Sequence, residues 1–264
     1  MIPRIDATCV YDLSHPLEPT MPVSPNHPGY RMSLLRRHGD IVRADGGSAS
    51  NEMIVMGGHT GTHFDGLAHV SQDGRLHGGV DAAAAQTGGR FRQLGLETVA
   101  PIVGRGVLLD VAWTTKDGVL PAGVAVTASD LERTASAQRV DPAGADALLV
   151  RTGWTRHWSD PAAYIGQASG VPGVDESGAR WLADHARRVA GGDTMAFEQV
   201  PPGKGHALLP VHRVLLVEHG IHILENLDLE RLAADRRYEF LFVCLPLAFV
   251  GATGSPVRPI AVVL

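Results

Sequence analysis

Residues 102–111 read IVGRGVLLDV, a run of aliphatic and β-branched side chains with the length and composition of a buried strand. Three further runs share this character, at residues 147–152 (ALLVRT), 238–245 (YEFLFVCL) and 259–264 (PIAVVL). Helical spacing of apolar residues occurs at residues 129–136, 176–189 and 213–219. Strands interleaved with helices predict an α/β fold with a mixed central sheet, in which the loops at strand ends carry the chemistry.

The chain offers no obvious point of division into domains. Its 264 residues suffice for one sizeable core, and it contains no internal repeat, low-complexity tract or long charge block. We therefore predict a single domain over residues 1–264. Its first part, about residues 1–50, is expected to form an extended arm, because prolines recur there every three positions, at Pro16, Pro19, Pro22, Pro25 and Pro28.

Composition narrows the possible partners and the cellular location. A formal charge of -5 and a pI near 6.2 argue against nucleic acid, which requires a large positive field. Cys9 and Cys244 are the only cysteines, too few for a disulfide framework or a thiolate zinc site. No apolar run reaches the length of a signal peptide or a membrane span. We therefore expect a cytoplasmic protein that acts on a small molecule.

Residues 57–69 read GGHTGTHFDGLAH and place His59, His63, Asp65 and His69 within eleven positions. Imidazole and carboxylate groups are good ligands for a divalent metal. In a straight strand His59 and His63 would lie about 13 Å apart, too far to share one ion, while a regular helix would turn Asp65 away. An irregular bend is expected here. The metalloprotease spacing is absent, because Thr60 stands where that motif has glutamate.

A second group consists of His212 and Glu225. Either residue could complete a metal shell. Glu225 also precedes a polar segment, residues 226–230, and could equally belong to the start of a helix. The residues alone leave both interpretations open.

The sequence favours water as the nucleophile. It contains no Gly-x-Ser-x-Gly elbow, and neither cysteine has a histidine beside it in sequence. Metal-bound water is the better nucleophile, because a divalent ion lowers the pKa of water and polarises a carbonyl. A noncatalytic protein that binds metal or ligand remains an alternative.

The string from His59 to Asp65 together with His69 resembles the HxGTHxDxxxH signature of the metal-dependent cyclase family, which includes bacterial kynurenine formamidases, isatin hydrolase and a dienelactone hydrolase. Further blocks are similar to that family at residues 12–17, 151–154, 211–213, 223–227 and 251–259. The resemblance therefore spans nearly the whole chain.

This resemblance implies a swivelling β/β/α domain that binds one or two zinc or manganese ions. His59, His63 and Asp65 match the ligands of the first metal. His212 and Glu225 match those of a second metal, with Asp65 then bridging the two, and His69 matches the proton-transfer residue.

The resemblance also implies cleavage of a formamide, cyclic amide or lactone by a homodimer or homotetramer, with His69 as the residue that takes a proton from water and returns it to the leaving group. Ring closure or dehydration assisted by the same metal is the alternative reaction that the family name suggests. Two positions depart from the family pattern. Gly66 to Ala68 stand where many members have a proline after the ligand aspartate, so the shape of the pocket is expected to differ. Ser24 stands where formamidase-like members place tryptophan, which removes an aromatic wall for an aryl substrate.

Overall fold

The computed structural model describes residues 6–263, and its main feature is one large sheet of nine strands. These are β1 (Val10–Asp12), β4 (His63–Asp65), β7 (Ile102–Asp110), β9 (Ala145–Arg151), β11 (Ala186–Gly192), β12 (His222–Glu225), β13 (Glu239–Cys244), β14 (Gly254–Pro256) and β15 (Ile260–Val262). The remaining strands form three separate pairs: β2 (Arg31–Arg36) with β3 (Asn51–Val55), β5 (Gln86–Thr87) with β6 (Arg90–Phe91), and β8 (Ala125–Val126) with β10 (Gly173–Val174).

The order of strands in the large sheet is β1-β15-β13-β7-β9-β11-β12-β4-β14. The four strands β7, β9, β11 and β12 run parallel to one another, and the strands on both flanks are antiparallel. The predicted α/β fold with a mixed central sheet is thus confirmed. All four predicted strands are present, although Leu264, the last residue of the predicted fourth run, lies outside the described residues.

Helices connect these strands and are mostly short. They are α1 (Ala82–Ala85), α2 (Ala128–Gln138), α3 (Pro161–Ile165), α4 (Glu176–His185), α5 (Pro210–His212), α6 (Glu230–Ala234) and a π-helix (Arg213–His219). Single 3-10 turns occupy Ala7–Cys9, His77–Gly79, Leu96–Thr98, Val111–Thr114 and Trp154–His157. Helix α2 begins with a capping box between Thr127 and Asp130, which satisfies free N–H groups of its first turn. Among the helices between residues 6 and 263, none has the length and apolar character needed to cross a membrane.

One sequence-based boundary is wrong. Helical spacing predicts a helix over residues 176–189, but α4 ends at His185 and the chain continues directly as β11. The reason is tertiary: β11 pairs with β9 on one side and β12 on the other, and Val189 and Ala190 are fully buried. Pairing and burial on both sides outweigh a local helical pattern.

The sheet separates two hydrophobic layers. Along β7, Val107 and Leu109 pack into the layer that contains α2, α4 and the π-helix, whereas Leu108 packs into the opposite layer. Because both faces are covered, the strand carries a continuous apolar run rather than an alternating one. Three of the metal-ligand candidates, His63, Asp65 and Glu225, lie towards the other edge of the sheet, on β4 and β12.

The Pro-rich arm contains a hairpin that the sequence does not predict. Residues 13–30 consist of turns and irregular segments, and the chain then forms β2 and β3, in which every residue is exposed. The extended arm therefore stays a prediction. The hairpin leaves and rejoins the protein at one place, where the Gly57 N–H donates to the Pro28 carbonyl oxygen over 3.2 Å. The hairpin therefore projects from the protein next to the segment that carries His59.

Candidate metal centre and active site

The pairing of β4 with β12 sets the centre of the site. His63 and Asp65 are two residues apart on β4, so their side chains point to the same face. Glu225 of β12 lies directly opposite His63 in the antiparallel register, with Oε2 3.2 Å from the His63 Nε2 atom. All three side chains are buried. The sheet thus places two carboxylates and an imidazole together without help from a loop.

His59 reaches this group through the bend expected from the sequence. Gly61 has a φ of 70°, a left-handed backbone conformation that favours glycine. The bend brings His59 Nδ1 to 2.6 Å from Asp65 Oδ1 and Nε2 to 3.0 Å from Thr253 Oγ1.

His69 stands beside His59 after the chain leaves β4. Its backbone N–H donates to the Gly66 carbonyl oxygen over 3.0 Å, and its ring stacks on His59 with centroids 3.8 Å apart. Its side chain makes no hydrogen bond within residues 6–263. The imidazole therefore remains available to a ligand in the cavity.

His212 enters from α5, on the other side of the carboxylates. Its Nε2 atom lies 3.6 Å from Asp65 Oδ2 and 3.4 Å from Glu225 Oε1. Its Nδ1 atom lies 2.6 Å from Glu198 Oε1. The structure thus brings together all six residues singled out from the sequence, and Glu225 belongs to a strand rather than to the start of a helix.

Five of the six residues, all except His212, fall into two overlapping groups. Donor atoms of His59, Asp65 and His69 lie within 4.8 Å of one another, and so do those of His63, Asp65 and Glu225. Asp65 is common to both groups. The register of β4 and β12 puts Glu225 across from His63. That His59, His63 and Asp65 share the first metal, as the resemblance implies, stays a prediction.

The electrostatics of the group favour positive charge between the two carboxylates. Burial opposes protonation of His63, but the hydrogen bond with Glu225 and the charge of Asp65 outweigh it and raise the pKa of His63 to about 9. The pKa of His212 is likewise raised well above its usual value, since Asp65 and Glu198 together overcome the effect of burial. Burial lowers the pKa of His69 to about 4.

A divalent cation fits this donor set. Asp65 Oδ2 and Glu225 Oε1 are buried and have no hydrogen-bond partner among the described residues, which is costly for a carboxylate. The facing Nε2 atoms of His63 and His212 are nitrogen ligands of the kind that zinc and manganese accept. Binding a cation would satisfy the unpaired oxygens and displace the protons that the carboxylates attract.

The site opens into a cavity of about 230 Å³ whose wall includes Ser24, the position where the sequence departs from the aromatic pattern. His27, His206 and Met195 also line this cavity. Sequence reasoning missed these three residues and Glu198. His27 lies among the prolines of the arm, and Glu198 is 14 positions before His212; neither belongs to a local motif, so only the fold connects them to the site.

Comparison with known proteins gives a consistent assignment. The model of the Cyclase family matches residues 11–199. A kynurenine formamidase from Geobacillus thermodenitrificans is 27% identical over 217 residues, which cover 82% of this chain and 81% of that protein.

Solved structures agree with this match. The crystal structure of a novel cyclase has a TM-score of 0.86 and 30% identity, with 98% of this chain and 90% of that chain covered. Isatin hydrolase A from Ralstonia solanacearum shares the fold, with a TM-score of 0.74, 22% identity and coverage of 97% and 92%. From the family match over most of its length, this chain belongs to the Cyclase family.

Proposed function

We propose that this chain is a hydrolase that uses a divalent metal to cleave the C–N bond of a small amide. The observation that carries the proposal is the pair of buried carboxylates, Asp65 and Glu225. Each has an oxygen that lacks a hydrogen-bond partner within residues 6–263 and that lies 3.4 to 3.6 Å from the His212 Nε2 atom. Buried charges of this kind are retained in proteins where they are paired or hold a metal. Ring-opening of a lactone would use the same groups.

The residues divide into ligands and a proton carrier. His59, His63, Asp65, His212 and Glu225 would hold one or two ions of zinc or manganese. Such an ion polarises a carbonyl and lowers the pKa of water, which supplies a nucleophile near neutral pH. His69 is the candidate general base and acid: its imidazole nitrogen would take a proton from the attacking water and return it to the leaving nitrogen. Its stacking on His59 holds the ring at the ligands.

The choice of substrate follows from the relatives and from the cavity. A formamidase among the relatives makes a formamide the first candidate, and a cyclic amide the second. Among the described residues, the cavity wall contains imidazole and aliphatic side chains but no Phe, Tyr or Trp. With Ser24 in that wall, we expect aliphatic and small aryl amides to be accepted without the stacking contacts that favour a large aromatic substrate.

The direct test is acid release by the purified protein over aryl formamides, isatin-like lactams, lactones and simple esters. Each substrate is tried with added manganese, with added zinc and with a chelator. We expect hydrolysis of at least one amide or lactone. The chelator should abolish this hydrolysis, and added metal should restore it. Hydrolysis that continues at the same rate in the presence of the chelator would contradict the role of the metal.

The same assay separates the alternatives. Ring closure or dehydration would yield a product without release of acid, which product analysis detects. A noncatalytic binding protein would bind the metal in a stoichiometric titration and turn over no carbonyl substrate. If the protein binds metal but hydrolyses no substrate of the panel, a noncatalytic binding protein would be favoured over a hydrolase.

We propose further that two copies of the chain associate through the β2–β3 hairpin. Its apolar side chains, Met32, Leu34, Leu35, Met53, Ile54 and Val55, are 45 to 63% exposed, and a lone two-stranded hairpin is marginally stable. The chain exposes 13116 Å², whereas a compact monomer of its mass exposes about 11,000 Å². An excess of about 2,000 Å² is what one partner of a large homodimer interface would cover.

A cytoplasmic location also remains a proposal. It is supported by Cys9 and Cys244, which form no disulfide, as expected in a reducing compartment. Cell fractionation of a producing strain tests it: recovery of the protein outside the cytoplasmic fraction would overturn it.

A further inference from the structure

Glu198 holds His212 through two hydrogen bonds to one oxygen. The Oε1 atom accepts from the His212 backbone N–H over 3.0 Å and lies 2.6 Å from the His212 Nδ1 atom. Both side chains are buried, with 2% of Glu198 and 4% of His212 exposed. In the native structure solvent therefore does not compete for either bond.

The backbone around Glu198 is fixed on both sides. The Val174 N–H donates to the Phe197 carbonyl oxygen over 3.0 Å, and the Gln199 N–H donates to the Val174 carbonyl oxygen over 2.9 Å. Glu198 thus sits in a short bridge to strand β10. Its carboxylate is presented to His212 from a rigid element, not from a mobile loop.

This arrangement requires a proton on the Nδ1 atom of His212, whether or not Nε2 is also protonated. A carboxylate only accepts hydrogen bonds, so Nδ1 must donate and must bear hydrogen. The opposite nitrogen, Nε2, is the one that faces Asp65 and Glu225. His63 differs, because its Nδ1 bonds to the neutral carbonyl oxygen of Gly61 at 2.8 Å. A carboxylate partner makes an imidazole a stronger metal ligand than a carbonyl does.

We propose that Glu198 is a positioning residue, which fixes the ring and the proton of His212 so that Nε2 binds the cation on the Glu225 side of the site. The inference rests on the proposed metal function. Removal of an outer carboxylate of this type weakens metal binding about 10- to 100-fold. Glu198→Ala should therefore weaken one cation site by this factor, while Glu198→Gln, which keeps the shape and an acceptor oxygen, should weaken it less.

Two measurements test the proposal independently. Competition between Zn²⁺ and a chromophoric chelator gives the affinity and the number of ions for each variant. Proton–nitrogen spectra of the ¹⁵N-histidine-labelled, metal-free protein show whether His212 carries a hydrogen-bonded Nδ1–H, expected far downfield in the wild type, absent in Glu198→Ala and partly restored in Glu198→Gln. Glu218→Gln, which removes a half-exposed carboxylate bonded to Arg180 and Arg213, is the matched control and should change neither result.

The results for Glu198→Ala can contradict the positioning role of Glu198. Wild-type Zn²⁺ affinity and an unchanged Nδ1–H signal in Glu198→Ala would overturn the proposal. Glu198→Gln guards against a folding defect, since its thermal unfolding should match the wild type. If the wild-type protein binds neither Zn²⁺ nor Mn²⁺, the proposed function fails, yet the spectra of the metal-free protein still show whether Glu198 fixes the proton on His212.

Discussion

Glu225 lies directly across β12 and β4 from His63, with 3.2 Å between Oε2 and the imidazole Nε2 atom. The register of a sheet, not a flexible loop, thus sets the distance between these two ligand candidates. Asp65 follows on the same face two residues later. Because a one-residue slip would turn both β4 side chains to the other face, the geometry of the site is tied to the stability of the sheet.

Substitution of Asp65 should lower the amount of bound metal more than substitution of Glu225. Asp65 belongs to both groups of potential ligands, whereas Glu225 belongs to one. We expect Asp65→Asn to lose all tightly bound metal and Glu225→Gln to lose about half if two ions bind. Elemental analysis of dialysed protein measures this. Equal losses in the two variants would indicate a single ion held by both carboxylates.

Removal of the His69 imidazole should separate proton transfer from metal binding. We expect His69→Ala to lower kcat by about 10²- to 10⁴-fold with metal content close to that of the wild type. Because His69 lies within ligand distance of His59 and Asp65, metal analysis accompanies the kinetics. Loss of metal from this variant would make His69 a ligand instead of the proton carrier.

A methyl group at Gly254 should disturb the site from the β14 side. A Cβ atom there would overlap the His59 ring, so Gly254→Ala must displace that ligand or shift the strand. We expect weaker metal binding and a loss of about 1 to 3 kcal/mol in the free energy of unfolding. Gly29→Ala is the control, because its Cβ would meet only Val23 Cγ2 at 3.9 Å. Chelator competition and urea unfolding measure both effects.

The buried carboxyl of Asp193 should make stability depend on pH. Burial, only partly offset by hydrogen bonds from Thr152 and Gly153, raises its pKa to about 6. Since this value lies above the unfolded value, the folded state binds more protons and the stabilisation is lost as pH rises through about 6. Between pH 5 and 7 the wild type should lose roughly 1 kcal/mol relative to Asp193→Asn.

Urea unfolding of both proteins across that pH range tests the effect. The difference between them isolates Asp193 from other titrating groups. A difference that stays constant from pH 5 to 7 would show that Asp193 is ionised throughout in the folded protein.

A charge in the hairpin should dissociate the proposed dimer. Ile54 pairs with Met32 across β2 and β3 and is 53% exposed. Ile54→Glu should convert a dimer to a monomer in analytical ultracentrifugation, because an interface does not readily bury an unpaired carboxylate. Val103→Glu, at an equally exposed position of 59% on β7, should leave the assembly unchanged. A wild type that sediments as a monomer would contradict the interface.

The sequence by itself determined the class of fold and singled out six residues that the structure brings together. Continuous apolar runs such as residues 102–111 predicted buried strands because a strand covered on both faces needs no polar alternation. The spacing of His59, His63, Asp65 and His69 predicted a bend that gathers ligands, because ligand chemistry and glycine placement are local properties of the chain.

Only the tertiary structure decided which of these residues lie beside one another and which other side chains contact them. Strand register pairs Glu225 with His63, and packing brings Glu198 into hydrogen-bond contact with His212. In both pairs the two residues are distant in the chain. The end of α4 at His185 has the same origin, since the neighbours of β11 outweigh its helical pattern. Such contacts depend on where whole elements lie, and no local pattern of residues encodes that position.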